Sequence, residues 1–199
     1  EEYSSPTLES DSHDAQRKIG RNMLLFQRIE HSLKLLLSNR QLISRIDELA
    51  DTHERKAAAI QRKSMGQLVV QFAENLLADR EHESADLDDI GEGWVSLSFN
   101  SGHDSGCRRK LQTELEALVT ELNNLIHHFL PMWHSTPIDE IHRHLDQQHE
   151  RLLPTLARLK TEMDAVRRGR QAFAEYVESD SFKEQMELSW LRGSRLVTL

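Results

Sequence analysis

LQTELEALVTELNNLIHHFL, residues 111–130, decides how the rest of the chain is read. Leu111, Leu115, Leu118, Leu122, Leu125 and Phe129 recur at alternating steps of four and three, which places all six on one face of an α-helix. That face is core. The neighbouring face carries Glu121, Asn123, Asn124, His127 and His128, and Pro131 is expected to end the helix. A polar group able to do chemistry is thus held on a rigid element.

Working outward, His13 to Ser38 is an amphipathic helix with Ile19, Met23, Phe26, Ile29, Leu33 and Leu36 inward and Arg21, Asn22, Arg28, Glu30 and His31 on the polar face. Gly20 within it marks a close helix crossing. Residues 41–63 read as a weak helix and a connection. Ser64 and Gln67 have capping-box spacing ahead of a helix ending near Ala78. An acidic loop fills 79–104, within which Val95, Leu97 and Phe99 alternate with polar residues as a short strand would. Thr136 and Pro137 start a long helix of about 45 Å at 1.5 Å per residue, kinked at Pro154 and interrupted at Gly169. A short helix around Phe173 and a last one opened by Ser181 and Glu184 follow.

The fold class is all-α, a helical bundle with one long kinked helix and at most a short extended segment near 94–99. Residues 1–12 are a disordered lead-in, 13–190 the helical domain, and 191–199 the start of a linker or following domain. With 38% hydrophobic residues, 29% charged and no apolar run near the roughly 18 residues a span requires, the chain is expected to be cytoplasmic with no membrane association. A single cysteine, Cys107, forms no internal disulfide.

The net charge of −8 is uneven. Residues 1–14 and 79–104 carry −12 together, which leaves the remaining body at +4, with basic runs at Arg108, Arg109, Lys110 and at Arg167, Arg168, Arg170. Those six are the candidate RNA-binding residues; the competing reading is that they are solvated helix ends. The histidines (His127, His128, His134, His142, His144, His149) show no paired metal-ligand spacing, so no metal and no cofactor is expected. A Gly-rich phosphate loop is absent.

Four stretches carry a resemblance: KIGRNMLLFQRIEHSLKLLL (18–37), KSMGQLV (63–69), ELNNLIHHFL (121–130) and HLDQQHERLLPTLARL (144–159). Together they resemble the helical region that precedes the LOTUS (OST-HTH) domain in bacterial proteins, across most of 15–190. The central stretch is also similar to the RNxxxH motif of HEPN ribonuclease domains, dimeric helical bundles that cleave RNA without metal. Asn123 and His127 match the motif, while Leu122 stands at its Arg position. The resemblance implies that His127 acts in deprotonating the ribose 2′-hydroxyl and that a cation steadies the phosphate. Leu122 is no cation, so another, such as Arg21, has to serve.

Three functions remain open on these grounds. One is an RNA-associated, homodimerising accessory module with a degenerate HEPN motif. The second is a metal-independent endoribonuclease using His127 with Asn123 and Arg21. The third is a purely structural protein-interaction domain.

Overall fold

The computed structural model describes residues 6–78, 94–98 and 105–184. Most of the acidic 79–104 loop and all of the 191–199 segment lie outside the described residues. The architecture is an all-α helical bundle with one two-stranded ribbon on its side.

The bundle is built on two helices, α1 (Pro6–Asn39) and α6 (Ile138–Glu178), which pack along their length. Their inward positions are spaced by fours and threes: Ala15, Ile19, Asn22, Phe26, Ile29, Leu33, Leu36 on one and Ile141, Leu145, Gln148, Leu152, Thr155, Leu159, Glu162, Val166 on the other. A 3.5-residue repeat keeps a single seam facing the partner helix. Phe26, Ile29, Leu33, Leu145, Leu152 and Leu159 are fully buried along it. Cross-helix pairs fix the direction. Asp14 pairs with His142, Lys18 with Asp146 and Asn39 with Arg170, so residue number rises together on both helices and they run parallel.

Helix α4 (Ser105–Asn123) runs the other way. Glu114 pairs with Arg158 and Glu121 with Arg151, the partner number falling as the α4 number rises. Between α1 and α4 lies α3 (Met65–Ala78), which contributes Met65, Leu68, Val69 and Phe72 to the core. Its capping box forms as expected: the Ser64 N–H donates to Gln67 Oε1 at 3.0 Å, and the Gln67 N–H donates to Ser64 Oγ at 3.5 Å. A Cβ on Gly66 would lie 3.6 Å from Val119, which is where α3 meets α4.

The structure departs from the sequence expectations in several places. Gln41–Arg45, read as helix, is strand β1, paired antiparallel with β2 (Trp94–Ser98) in the register Gln41 to Ser98. One half of a two-strand ribbon is unstable alone, so five residues of QLISR carried no sign of a partner fifty positions away. A short 3₁₀ turn, Ile46–Glu48, then leads into α2 (Leu49–Gln61). Helix α1 begins at Pro6 rather than His13, taking in seven residues assigned to the lead-in. Proline at a first helical position favours that extension. Gly20 is exposed with nothing within 4 Å of a built Cβ, so no close crossing occurs there.

Helix α6 continues unbroken past Pro154 and Gly169 to Glu178, and the separate helix at Phe173 is its last turns. Leu152, Thr155 and Leu156 stay buried around Pro154, as does Val166 just before Gly169, and that packing outweighs a local propensity of about 1 kcal/mol at Gly169. Pro137 sits at the N-cap of α6 without a side-chain cap, so Ile138 is the first helical residue. The helical turn after α6 is capped by Ser179, not Ser181: the Phe182 N–H donates to Ser179 Oγ at 3.2 Å.

Candidate functional site

The NNLIHH motif is where the central helix changes its winding. Asn124–His128 forms a π-helical turn, followed directly by α5 (Phe129–Ser135), so the chain stays helical through Pro131. Proline cannot donate to the carbonyl four residues back and its ring collides with it. The wider π turn, placed just before Pro131, is where that mismatch is absorbed. The expected stop at Pro131 is therefore a change of pitch. Phe129 stays buried and packs its ring 5.6 Å from that of Trp133.

The turn displays its polar side chains. Asn123, Asn124, His127 and His128 are exposed, with the two imidazoles 6.4 Å apart edge to face, and Ile126 just before them is 53% exposed. Leu122 is partly buried against the core, so the motif's cation position belongs to the packing seam. Next to it, Glu121 accepts from Arg151 at 2.7 Å through Oε1, while its Oε2 is buried with no partner among the described residues.

Arg21 is committed elsewhere. Its Nη2 donates to Asp146 Oδ1 at 3.1 Å and its Nε to Asn22 Oδ1 at 3.3 Å. Lys18 Nζ meets the other Asp146 oxygen at 2.6 Å. Hydrogen bonds from Lys18, and then from Arg21, hold the Asp146 carboxyl below its usual range. No hydrogen bond or ion pair joins Arg21 to His127 among the described residues.

Asn22, placed on the polar face by its chemistry, is fully buried. Its Nδ2 donates to the Leu145 carbonyl at 2.8 Å and to Gln148 Oε1 at 2.9 Å, and Gln148 is buried too. The missed signal was positional: Asn22 stands three after Ile19 and four before Phe26, inside the 3.5-residue repeat. Read by spacing instead of polarity, it is a seam residue.

The candidate RNA-binding residues fall at the opposite end. Because α4 is antiparallel to α6, its basic start approaches the α6 segment that holds the second basic run. Arg109 and Lys110 are exposed, as are Arg167, Arg168 and Arg170; the Arg108 side chain lies outside the described residues. Arg167 pairs with Asp164, and Arg170 donates to Asn39 Oδ1. Arg109, Lys110 and Arg168 have no ion-pair partner among the described residues. Extending the α4–α6 pairing sets His127 beside residue 145, so the motif and Arg168 are separated by about 35 Å at 1.5 Å rise per residue. The chain thus brings the two basic runs together and holds Asn123, His127 and Arg21 apart from them.

No group of three or more His, Cys, Asp or Glu side chains is gathered among the described residues in a way that could hold a metal. Among them, too, no helix is long and apolar enough to cross a membrane. No protein-family model, curated protein or solved structure matches the chain.

Proposed function

We propose that this is an RNA-associated helical module of a LOTUS-type cytoplasmic protein, with a HEPN-like bundle whose motif is degenerate and which binds RNA and self-associates without cleaving. The observation that carries the reading is the separation just described. Cations able to hold a phosphate backbone are clustered at one end, while His127 lies about 35 Å away near a core leucine, and Arg21 is taken up by Asp146. A metal-free ribonuclease needs its base and its phosphate-binding cation within reach of one phosphodiester. The exposed Ile126 beside His127 gives the π-turn end an apolar centre for a second copy, in keeping with the dimeric habit of HEPN domains.

The test is incubation of the chain and of His127→Ala with labelled single-stranded RNA in EDTA, reading retention and cleavage together. Both proteins are expected to retain RNA, with affinity falling steeply as salt rises, and neither to cut it. Metal-free cleavage lost in the variant would establish the nuclease instead. No retention at low salt would leave a scaffold.

A further inference from the structure

At the C-terminal end of α1, a guanidinium and an imidazole from two other elements converge on one residue. Asn39, the last residue of α1, directs Oδ1 toward Arg170 Nη1 of α6 and His53 Nε2 of α2, the latter at 3.2 Å. Its amide nitrogen is fixed by the Leu35 carbonyl at 2.8 Å, which sets the orientation of the oxygen. One turn along α2 from His53, Lys56 Nζ donates to the Gln41 carbonyl. Burial, then the charges of Arg170 and Lys56, push the His53 imidazole below its ordinary value. Burial lowers Lys56 as well. Among the described residues the groups facing His53 are thus Arg170 from α6, Lys56 from its own helix and the neutral Asn39 from α1, with no carboxylate among them.

Beside this corner runs a groove of about 290 Å³ between the last turns of α1 and the matching part of α6. Leu35, Leu36, Met163 and Val166 form its apolar floor, Arg167 and Arg170 its rim, and Asn39 and Arg170 belong to groove and corner alike. Asp164 also lines it, held by Arg167. Negative carbonyls at the end of α1 attract positive charge, and one cation suffices for that. Two cations and an imidazole with no carboxylate partner among the described residues, opening onto an apolar slot, match a ligand with a flat apolar body and an anionic phosphate head.

We propose that this corner seats one nucleotide of an RNA strand, its phosphate against Arg170, Lys56 and His53 and its base on the Leu36–Met163–Val166 floor. This rests on the RNA reading above and adds to it a defined subsite containing three residues, Asn39, His53 and Lys56, that lie outside the basic runs. An anion bound there favours the protonated imidazole, so binding takes up a proton and tightens as pH falls from 7 toward 6.

The test is calorimetric titration of the full chain with adenosine 5′-monophosphate, adenosine, inorganic phosphate and oligoglutamate at low salt, alongside RNA retention. The monophosphate is expected to bind more tightly than the other three. Lys56→Gln and Arg170→Gln are each expected to weaken it about tenfold, as loss of a hydrogen bond to a charged group does, with unchanged melting temperature. Adenosine or oligoglutamate binding as tightly as the monophosphate would overturn the assignment, as would variants that bind it like the parent chain. RNA held equally by parent and both variants would remove the corner and leave the RNA reading standing. Monophosphate binding without RNA retention would overturn RNA as the source of the nucleotide and keep the phosphate chemistry.

Discussion

The two ends of the α1–α6 pair use polar residues in opposite ways. At the N-terminal end polar groups that enter the interface meet their complements: Asp14 with Arg17 and His142, Asp146 with Lys18 and Arg21, and the neutral pair Asn22 with Gln148 in the seam itself. At the C-terminal end Arg167 meets Asp164, but among the described residues Arg170 and His53 meet an amide oxygen, Lys56 a backbone carbonyl, and Arg168 no partner. The difference teaches where to look for function. Groups that satisfy each other inside the chain define its register; groups left with excess charge and room beside them are available to something else.

The largest effect that could break this contrast is expected at the seam. Asn22→Ala leaves the Gln148 amide and the Leu145 carbonyl without their buried donor, at a cost of about 2–3 kcal/mol in chemical unfolding. The double replacement Asn22→Leu with Gln148→Leu is expected to recover most of that stability, because the polar groups are removed as a pair. If the pair exists to fix the parallel register, the double variant will be stable but less uniquely packed, with broadened amide NMR signals. RNA retention by the folded single variant is expected to equal that of the parent chain. Lost retention without unfolding would place the binding surface at the wrong end.

Next in size is the basic end. Replacing Arg109 and Lys110 together, or Arg167 and Arg168 together, by Gln is expected to weaken RNA retention about tenfold. The slope of log affinity against log salt should fall by roughly one for each phosphate contact removed. Both pairs should act alike, because antiparallel α4 and α6 carry them to the same end. An effect confined to one pair would mean that the two runs do not share a ligand.

Much of this arrangement was legible in the chain. The seam of α1 and the core face of α4 followed from spacing alone, and the Ser64–Gln67 cap from residue type and offset. What escaped reading depended on partners. Strand β1 is made a strand by β2, and Asn22 is made a core residue by Gln148. The π turn arises from a conflict between Pro131 and a core stripe that keeps going to Phe129. His127 drew attention because imidazole is reactive near neutral pH, yet the residues with unmatched charge were ordinary in sequence. His53 and Lys56 lie in a stretch with weak periodicity, and only the parallel packing of α1 and α6 brings Arg170 to them.

A smaller effect sharpens the contrast at the N-terminal end. Asp146 is about half exposed, so Asp146→Asn is expected to cost less than about 1 kcal/mol at neutral pH. Its carboxyl titrates below the usual value in the folded chain. Its contribution is therefore present above the unfolded carboxylate pKa and is lost as pH falls through the folded one. The variant should differ least from the parent chain in acid and most near neutrality, as read by melting temperature across pH 3–7.

His53 provides the opposite sign and the smallest change. Its folded pKa is depressed, so between that value and the unfolded one near 6.5 the unfolded chain binds the proton more readily. Stability is complete above pH 6.5 and declines as pH falls through that range, and His53→Gln is expected to flatten this limb of the melting curve. A nucleotide in the corner reverses the balance, because its phosphate supplies the negative charge that Asn39 lacks. With saturating adenosine 5′-monophosphate, the parent chain should therefore lose its decline toward pH 6 while His53→Gln gains less from the ligand as pH drops. If the decline persists unchanged with ligand bound, the imidazole does not face the phosphate, and the proton step at this end of the bundle is internal to the fold.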